Sequence, residues 1–280
     1  MKINLLTDAP KHNLALMKIS AYHKARGDEV KLNEPLLWKA DLTYGSYLFR
    51  FSGKYPGDFI GGPGVDPTIR LEGFDGIKPD YRLFPVDFSL GYTWEWCPRR
   101  CGFCCVPKQN NPKEHHSIWE FHDARFSKIC LLNNNTFSDP QWRETFEEIW
   151  DAGLIVVDEN GYDIRLMDEE KAEVLKRTRF DGQIHFAWDR MPDGERTLEG
   201  LKLAKQYKLN AMVYVLMGYD TTFEEDIYRC QKIYDLGFDP FPMLYRQTRA
   251  LRSFRRFIYL RYYRKYKTLM KAWLDYGKGG

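Results

Sequence analysis

Between residues 88 and 245, short apolar, β-branched or aromatic runs alternate six times with longer segments that carry apolar residues at helical spacing. The spacing predicts strands at 88–95, 128–135, 162–166, 183–188, 211–217 and 240–245, and helices at 115–126, 139–152, 168–178, 195–207, 223–236 and 249–273. Strands joined by a helix each time must lie parallel, so the pattern calls for an α/β fold. Its parallel sheet is either open or curled into a partial (β/α)6, TIM-like barrel. Helix-start chemistry agrees. Ser138-Asp139-Pro140 sets a capping side chain before proline, and Thr222 with Glu225 makes a capping box. Ligands of such sheets bind at the carboxyl ends of the strands.

Residues 1–84 predict a small, Rossmann-like α/β unit of their own. Strand-like 3–6 leads into a helix over 14–26 with Leu14, Met17, Ala21 and Ala25 on one face, stopped by Gly27 before a strand at 30–32. Further strands are expected at 46–51 and 58–60, the latter running into Gly61-Gly62-Pro63-Gly64. A glycine-rich turn after a strand lets a ligand approach backbone amides, but the spacing matches no dinucleotide or phosphate-loop fingerprint, so a plain tight turn is expected.

Six cysteines stand at 97, 101, 104, 105, 130 and 230, four of them within nine residues just after the first strand of the alternating region. That is a poor layout for a disulfide framework and suits metal or redox chemistry. The segment Cys97-Pro98-Arg99-Arg100-Cys101-Gly102-Phe103-Cys104-Cys105 has the skeleton C-x3-C-x2-C, with an aromatic residue before the third cysteine. Structural zinc prefers two C-x2-C knuckles and four closed ligands. Here the fourth would have to be Cys105, whose side chain diverges from its neighbour's, or His115 or His116. Three thiolates on a short loop suit three irons of a 4Fe-4S cluster, leaving the fourth iron open.

That loop, placed after the first of six strand–helix units, resembles the signature of the radical S-adenosylmethionine superfamily; the resemblance covers roughly residues 85–250. It implies a core barrel over 85–248, with Cys97, Cys101 and Cys104 holding the cluster and S-adenosylmethionine on the open iron. A reducing protein such as flavodoxin or ferredoxin would supply the electron. The cofactor is then cleaved to a 5′-deoxyadenosyl radical that takes hydrogen from a substrate the sequence does not identify. By the same resemblance Phe103 packs near the adenine. Asn133, Asn134 and Asn135 stand where the superfamily often has Gly-Gly-Glu and would meet the amino group through amide oxygens. Arg165 is placed to take a carboxylate or to pair with Asp163, and Asp189 to take ribose hydroxyls. Gly218 allows close approach at the end of the fifth strand, and Met243 lies on the strand whose backbone meets adenine. His185, on the face of Asp189, is expected to be a satisfied core histidine, and Cys105, Cys130 and Cys230 small core residues.

The N-terminal unit resembles a shortened form of the cobalamin-binding-type domain that precedes many such barrels. The chain has no Asp-x-His-x-x-Gly motif, so cobalamin is not expected. No cysteine precedes Cys97, which argues against the methylthiotransferase branch, and the three cysteines outside the motif are too scattered for an auxiliary cluster.

Charge bears on partners. The 280 residues carry a formal +3, which excludes a generally basic nucleic-acid coat, while 44% hydrophobic and 16% aromatic content excludes a disordered chain. No apolar run approaches the roughly 20 residues of a membrane span, and Met1–Asp8 lacks a signal-peptide pattern, so a cytoplasmic protein is expected. Residues 246–280, however, hold eleven Lys or Arg against the single acid Asp275, a local +10 that leaves −7 on the remainder. The segment over 249–280 reads as a basic, aromatic-rich helix closing the barrel, its charge solvated or paired to the acidic body. The alternatives are a radical enzyme that modifies a nucleic acid held by this helix, and a non-catalytic binding module stabilised by zinc or a cluster.

Overall fold

The structure, a computed structural model, describes residues 1–34 and 38–277; the last three residues of the basic C-terminal segment lie outside them. It is mixed α/β with parallel sheets, and packing divides the chain into two compact units, Met1–Val157 and Asp158–Gly280. Among the described residues no helix is long and apolar enough to cross a membrane.

In the first unit, β1 (Lys2–Leu6), α1 (Leu14–Ala25), β2 (Glu29–Leu32), β3 (Leu42–Ser46) and β4 (Phe59–Gly61) build a parallel sheet in the order β2-β1-β3-β4 among the described residues. Asn13 caps α1 by accepting from the Leu16 N–H, and Gly27 ends it at φ +80°, a left-handed position that favours glycine. The strand expected at 46–51 comes earlier, at β3. Beyond it the backbone of 47–49 instead cradles the glycine turn: Gly64 N–H donates to Tyr47 O at 2.8 Å, and a Cβ on Gly62 would lie 2.6 Å from that oxygen. The glycines are there for close backbone packing.

β5 (Ser89–Gly91), β6 (Lys128–Leu131), α2 (Trp142–Asp151) and β7 (Ile155–Val156) complete this unit, with strand order β5-β6-β7. Its buried core runs from Ile3, Leu5 and Met17 through Tyr81 and Phe88 to Leu90 and Cys130. The helix expected over 115–126 is reduced to a single 3-10 turn at Ile118–Glu120. Two side chains explain this. The Tyr81 hydroxyl lies 2.7 Å from the Phe121 carbonyl, removing it from any helical ladder, and the Phe121 ring fills the space that Gly91 leaves by lacking a Cβ.

In the second unit, α3 (Glu169–Arg177), β8 (Ile184–Ala187), α4 (Gly194–Gln206), β9 (Ala211–Met217), α5 (Phe223–Asp235) and β10 (Asp239–Leu244) give a parallel sheet in the order β10-β9-β8. β9 alternates strictly, with Ala211, Val213, Val215 and Met217 buried and Met212, Tyr214 and Leu216 half-buried. β10 carries Pro240 and Pro242, which lack an N–H and are tolerated because it is an outer strand of this sheet. The Thr222–Glu225 capping box forms as expected. The strand expected at 162–166 does not form: Tyr162 makes an isolated bridge to Phe186, Ile164–Leu166 is a 3-10 turn, and the strand of this stretch is β7, in the first unit. Asp163 dictates the turn by capping it, accepting from the Arg165 N–H.

The single helix expected over 249–273 is two, α6 (Arg249–Tyr259) and α7 (Leu269–Tyr276). Arg261, at φ +53°, reverses the chain between them. Folding back lets Trp273 pack 5.2 Å from Phe254 and 5.4 Å from Phe257, burying both apolar stripes at once. Elsewhere α4 approaches the turn at 164–166 so closely that a Cβ on Gly200 would run into the Ile164 carbonyl. Gly200→Ala, normally favourable inside a helix, is therefore expected to destabilise by about 1–3 kcal/mol in chemical denaturation.

Candidate functional site

The cysteines lie on an irregular loop that leaves β5. Cys97, Cys101, Cys104 and Cys105 are all half-buried, and Cys104 N–H donates to Cys101 O at 3.0 Å, closing a turn between two of them. Contact between neighbouring thiols pulls Cys105 down to about 6, helped by the positive charges of Arg50 and Lys108, and pushes Cys104 up. Cys105 is thus not the core residue expected, whereas Cys130 in β6 and Cys230 in α5 are fully buried.

Three consecutive asparagines beyond β6 hold the segment leading into this loop. Asn133 Oδ1 accepts from the N–H groups of Thr93 and Trp94 at 2.8 and 3.0 Å, while its Nδ2 donates to Thr93 Oγ1 at 2.8 Å. Asn134 Nδ2 donates to Glu95 O. Asn135 Nδ2 lies 3.8 Å from Cys97 Sγ, within reach of a hydrogen bond to sulfur. The asparagines thus step along residues 93, 95 and 97 in turn. Around them Trp94 Nε1 donates to Ser138 Oγ at 3.0 Å, and Arg70 bridges Glu95 at 2.8 Å and Asn111 at 2.7 Å. His115 and His116 are taken up by acids, His115 Nδ1 by Asp139 at 2.6 Å and His116 by Glu120 at 3.1 Å. Phe103 is half-buried on the cysteine loop.

Among the described residues no three His, Cys, Asp or Glu side chains stand together as the ligand set of one metal ion. A cubane cluster makes a different demand, because each thiolate binds a separate iron and the three sulfurs need not meet at a point. Three half-buried cysteines on one loop, with an amide N–H directed at one sulfur, fit that demand. Hydrogen bonds to ligand sulfurs are a means by which proteins set the potential of such clusters.

The second unit presents its own strand ends. Asp189 follows β8 and is half-buried; burial pushes its carboxyl up to about 6 against the opposing charges of Arg229 and Arg165. Gly218 follows β9 at φ +72°, and Met243 on β10 is 46% exposed, paired in register with Leu216. Arg165 is held in place by acids, its Nε 2.7 Å from Asp163 and its Nη1 2.8 Å from Asp193. His185 Nδ1 faces the Asp158 carbonyl at 2.5 Å and its ring stacks on Tyr214 at 4.9 Å.

Arg229, which no sequence expectation named, organises these ends. It is fully buried on α5, donating to the carbonyls of Trp188 and Leu216 at 2.6 Å each and pairing with Asp226 at 2.5 Å. Asp226 in turn accepts from the Gly218 N–H at 3.1 Å. The signal was the spacing: Asp226, Cys230 and Ile233 share a helix face, which places charge where α5 should be apolar.

No protein-family model matches the chain, and neither does any curated protein.

Two predictions follow from the buried charges. Arg229→Met should cost about 3–5 kcal/mol in urea denaturation by stranding Asp226, with Asp226→Leu in the same chain restoring part of the loss. Asp189 holds its proton more tightly folded than unfolded, a contribution present below about pH 4 and lost as pH rises through 6. Asp189→Asn should therefore gain roughly 2–3 kcal/mol on the wild type between pH 4 and pH 7.5, and a pH-independent difference would contradict the assignment.

Proposed function

We propose that the chain is a radical S-adenosylmethionine enzyme in which Cys97, Cys101 and Cys104 hold a 4Fe-4S cluster. In this proposal β5 to β10 and their helices are the strand–helix succession of a partial (β/α)6 barrel, and the sheet of β1 to β4 is a small Rossmann-like domain. The proposal rests foremost on the C-x3-C-x2-C loop being fastened, residue after residue, to the end of the neighbouring parallel strand by Asn133, Asn134 and Asn135. A loop that only connected elements would not need its approach to the cysteines pinned in this way.

When bound, the cluster supplies the electron that cleaves S-adenosylmethionine and so makes hydrogen abstraction from a substrate possible. The chain's own residues bind and orient. Asn133 fixes the path of residues 93–94 through its amide oxygen and nitrogen, so its task is positioning. Asn135 directs an N–H at the Cys97 sulfur. Phe103 would cover the adenine. In the second unit Asp189 would accept ribose hydroxyls, Gly218 would admit close approach of the cofactor, and Met243 would lie beside the adenine contact. Arg165 would keep its two aspartates and steady the loop before α3.

The test is anaerobic reconstitution with iron and sulfide, then reduction in the presence of S-adenosylmethionine and chromatography for 5′-deoxyadenosine. The wild type should take up about four irons and form the product, and Cys101→Ala should do neither. Asn135→Ala should retain iron but shift the cluster's potential. Uptake of zinc alone, with no 5′-deoxyadenosine, would favour a non-catalytic binding module and end the proposal.

A further inference from the structure

The basic C-terminal segment takes a form that its sequence left open. Helix α6 buries Leu251, Phe254, Phe257 and Ile258 and leaves Arg249, Arg252 and Arg256 exposed along its other side. Among the described residues, the acidic contact made by the Lys and Arg side chains of this segment is that of Arg264 with Asp239. Among the described residues Arg249, Arg252 and Arg256 are exposed and pair with no acid, although Arg252 Nη1 donates to the Gln247 carbonyl at 2.9 Å.

A file of rings lies beside this charge. On the half-buried side of the sheet, His185 stacks on Tyr214 at 4.9 Å, and Tyr214 meets Phe241 edge-on at 5.4 Å. Phe241 in turn lies 4.9 Å from Tyr259 at 30°. Each ring comes from the next element in order: β8, β9, β10 and then α6. The file ends on Tyr259, which is 47% exposed and has the Arg255 guanidinium 5.8 Å from its centroid. A row of forked cations running up to an exposed tyrosine that already carries a guanidinium over its ring matches a polyanion whose charged groups are interspersed with flat rings. At about 1.5 Å per residue, Arg249 and Arg256 stand roughly 10 Å apart along the axis.

We propose that α6 and the ring file bind a single-stranded polynucleotide, with phosphates on Arg249, Arg252 and Arg256 and a base stacked on Tyr259. This goes beyond the proposed radical chemistry and does not depend on it, since neither the surface nor its test requires iron.

The experiment measures anisotropy of fluorescent RNA and DNA oligonucleotides of about twenty residues with the full chain, free of iron, across salt from about 50 to 200 mM. Affinity should fall with salt. The triple variant Arg249→Gln/Arg252→Gln/Arg256→Gln should lose at least tenfold in affinity and flatten the log–log salt slope by about 2. Tyr259→Ala should weaken binding about fivefold or more without changing the slope, and Tyr259→Phe should restore it. Circular dichroism melts confirm that the variants fold. Preference for the RNA or the DNA oligonucleotide identifies which polynucleotide is bound, and either supports the inference. Three results would overturn it: an affinity untouched by the triple substitution, tighter binding to phosphatidylglycerol vesicles than to the oligonucleotides, or duplex binding as tight as single-strand binding and indifferent to Tyr259→Ala.

Discussion

The amide of Asn133 is the contact on which the cysteine loop depends. Where parallel strands end, backbone N–H groups lose their ladder partners, and buried ones must be satisfied or they cost about 1–3 kcal/mol each. Here the amides of Thr93 and Trp94, just past β5, find the carbonyl of a single side chain at the end of β6. One amide group thereby fixes where the chain leaves the sheet. Asn134 and Asn135 extend that control to the threshold of the first cysteine, so the loop is irregular in backbone yet determined in path. The proposed radical chemistry would require this, because electron transfer and cofactor orientation both fail when the ligands wander.

The second unit meets the same problem with opposite chemistry. There the unsatisfied groups at the strand ends are carbonyls, those of Trp188 and Leu216, and the answer is a buried guanidinium. Arg229 has the fork geometry to serve both, and Asp226 balances its charge while also holding the Gly218 amide. Such a group is strained for solvation, so every member matters more than an equivalent surface pair would.

The sequence made visible those features that depend on local spacing. Much of the strand–helix alternation, the Thr222–Glu225 box and the stop at Gly27 follow from period and capping chemistry. What it concealed depended on distant partners. The helical pattern at 115–126 lost to Tyr81, some forty residues upstream in the chain, which claims the Phe121 carbonyl. The alternation around Tyr162 read as a strand because nothing local told that Asp163 would cap a turn. The long apolar stripe after residue 249 fitted one helix as well as two, and only the aromatic packing of Trp273 on Phe254 and Phe257 settles the choice. At the site, the cysteines were legible from spacing alone. The asparagines were singled out only by resemblance, as amide oxygens for a cofactor's amino group; that the Asn133 oxygen serves the Thr93 and Trp94 amides, and that Asn134 and Asn135 reach Glu95 and Cys97, was not legible.

Charge is distributed as unevenly as structure. A chain of formal +3 concentrates its cations after residue 246 and leaves the rest acidic, so its nearly neutral total conceals a basic face. The central claim concerns the cysteines, and Mössbauer spectroscopy of iron-57-reconstituted protein tests it most directly. Three cysteine ligands on four irons predict that adding S-adenosylmethionine changes the signal of one iron and leaves three alike. A spectrum of four equivalent irons that S-adenosylmethionine does not alter, or of mononuclear iron alone, would contradict the account.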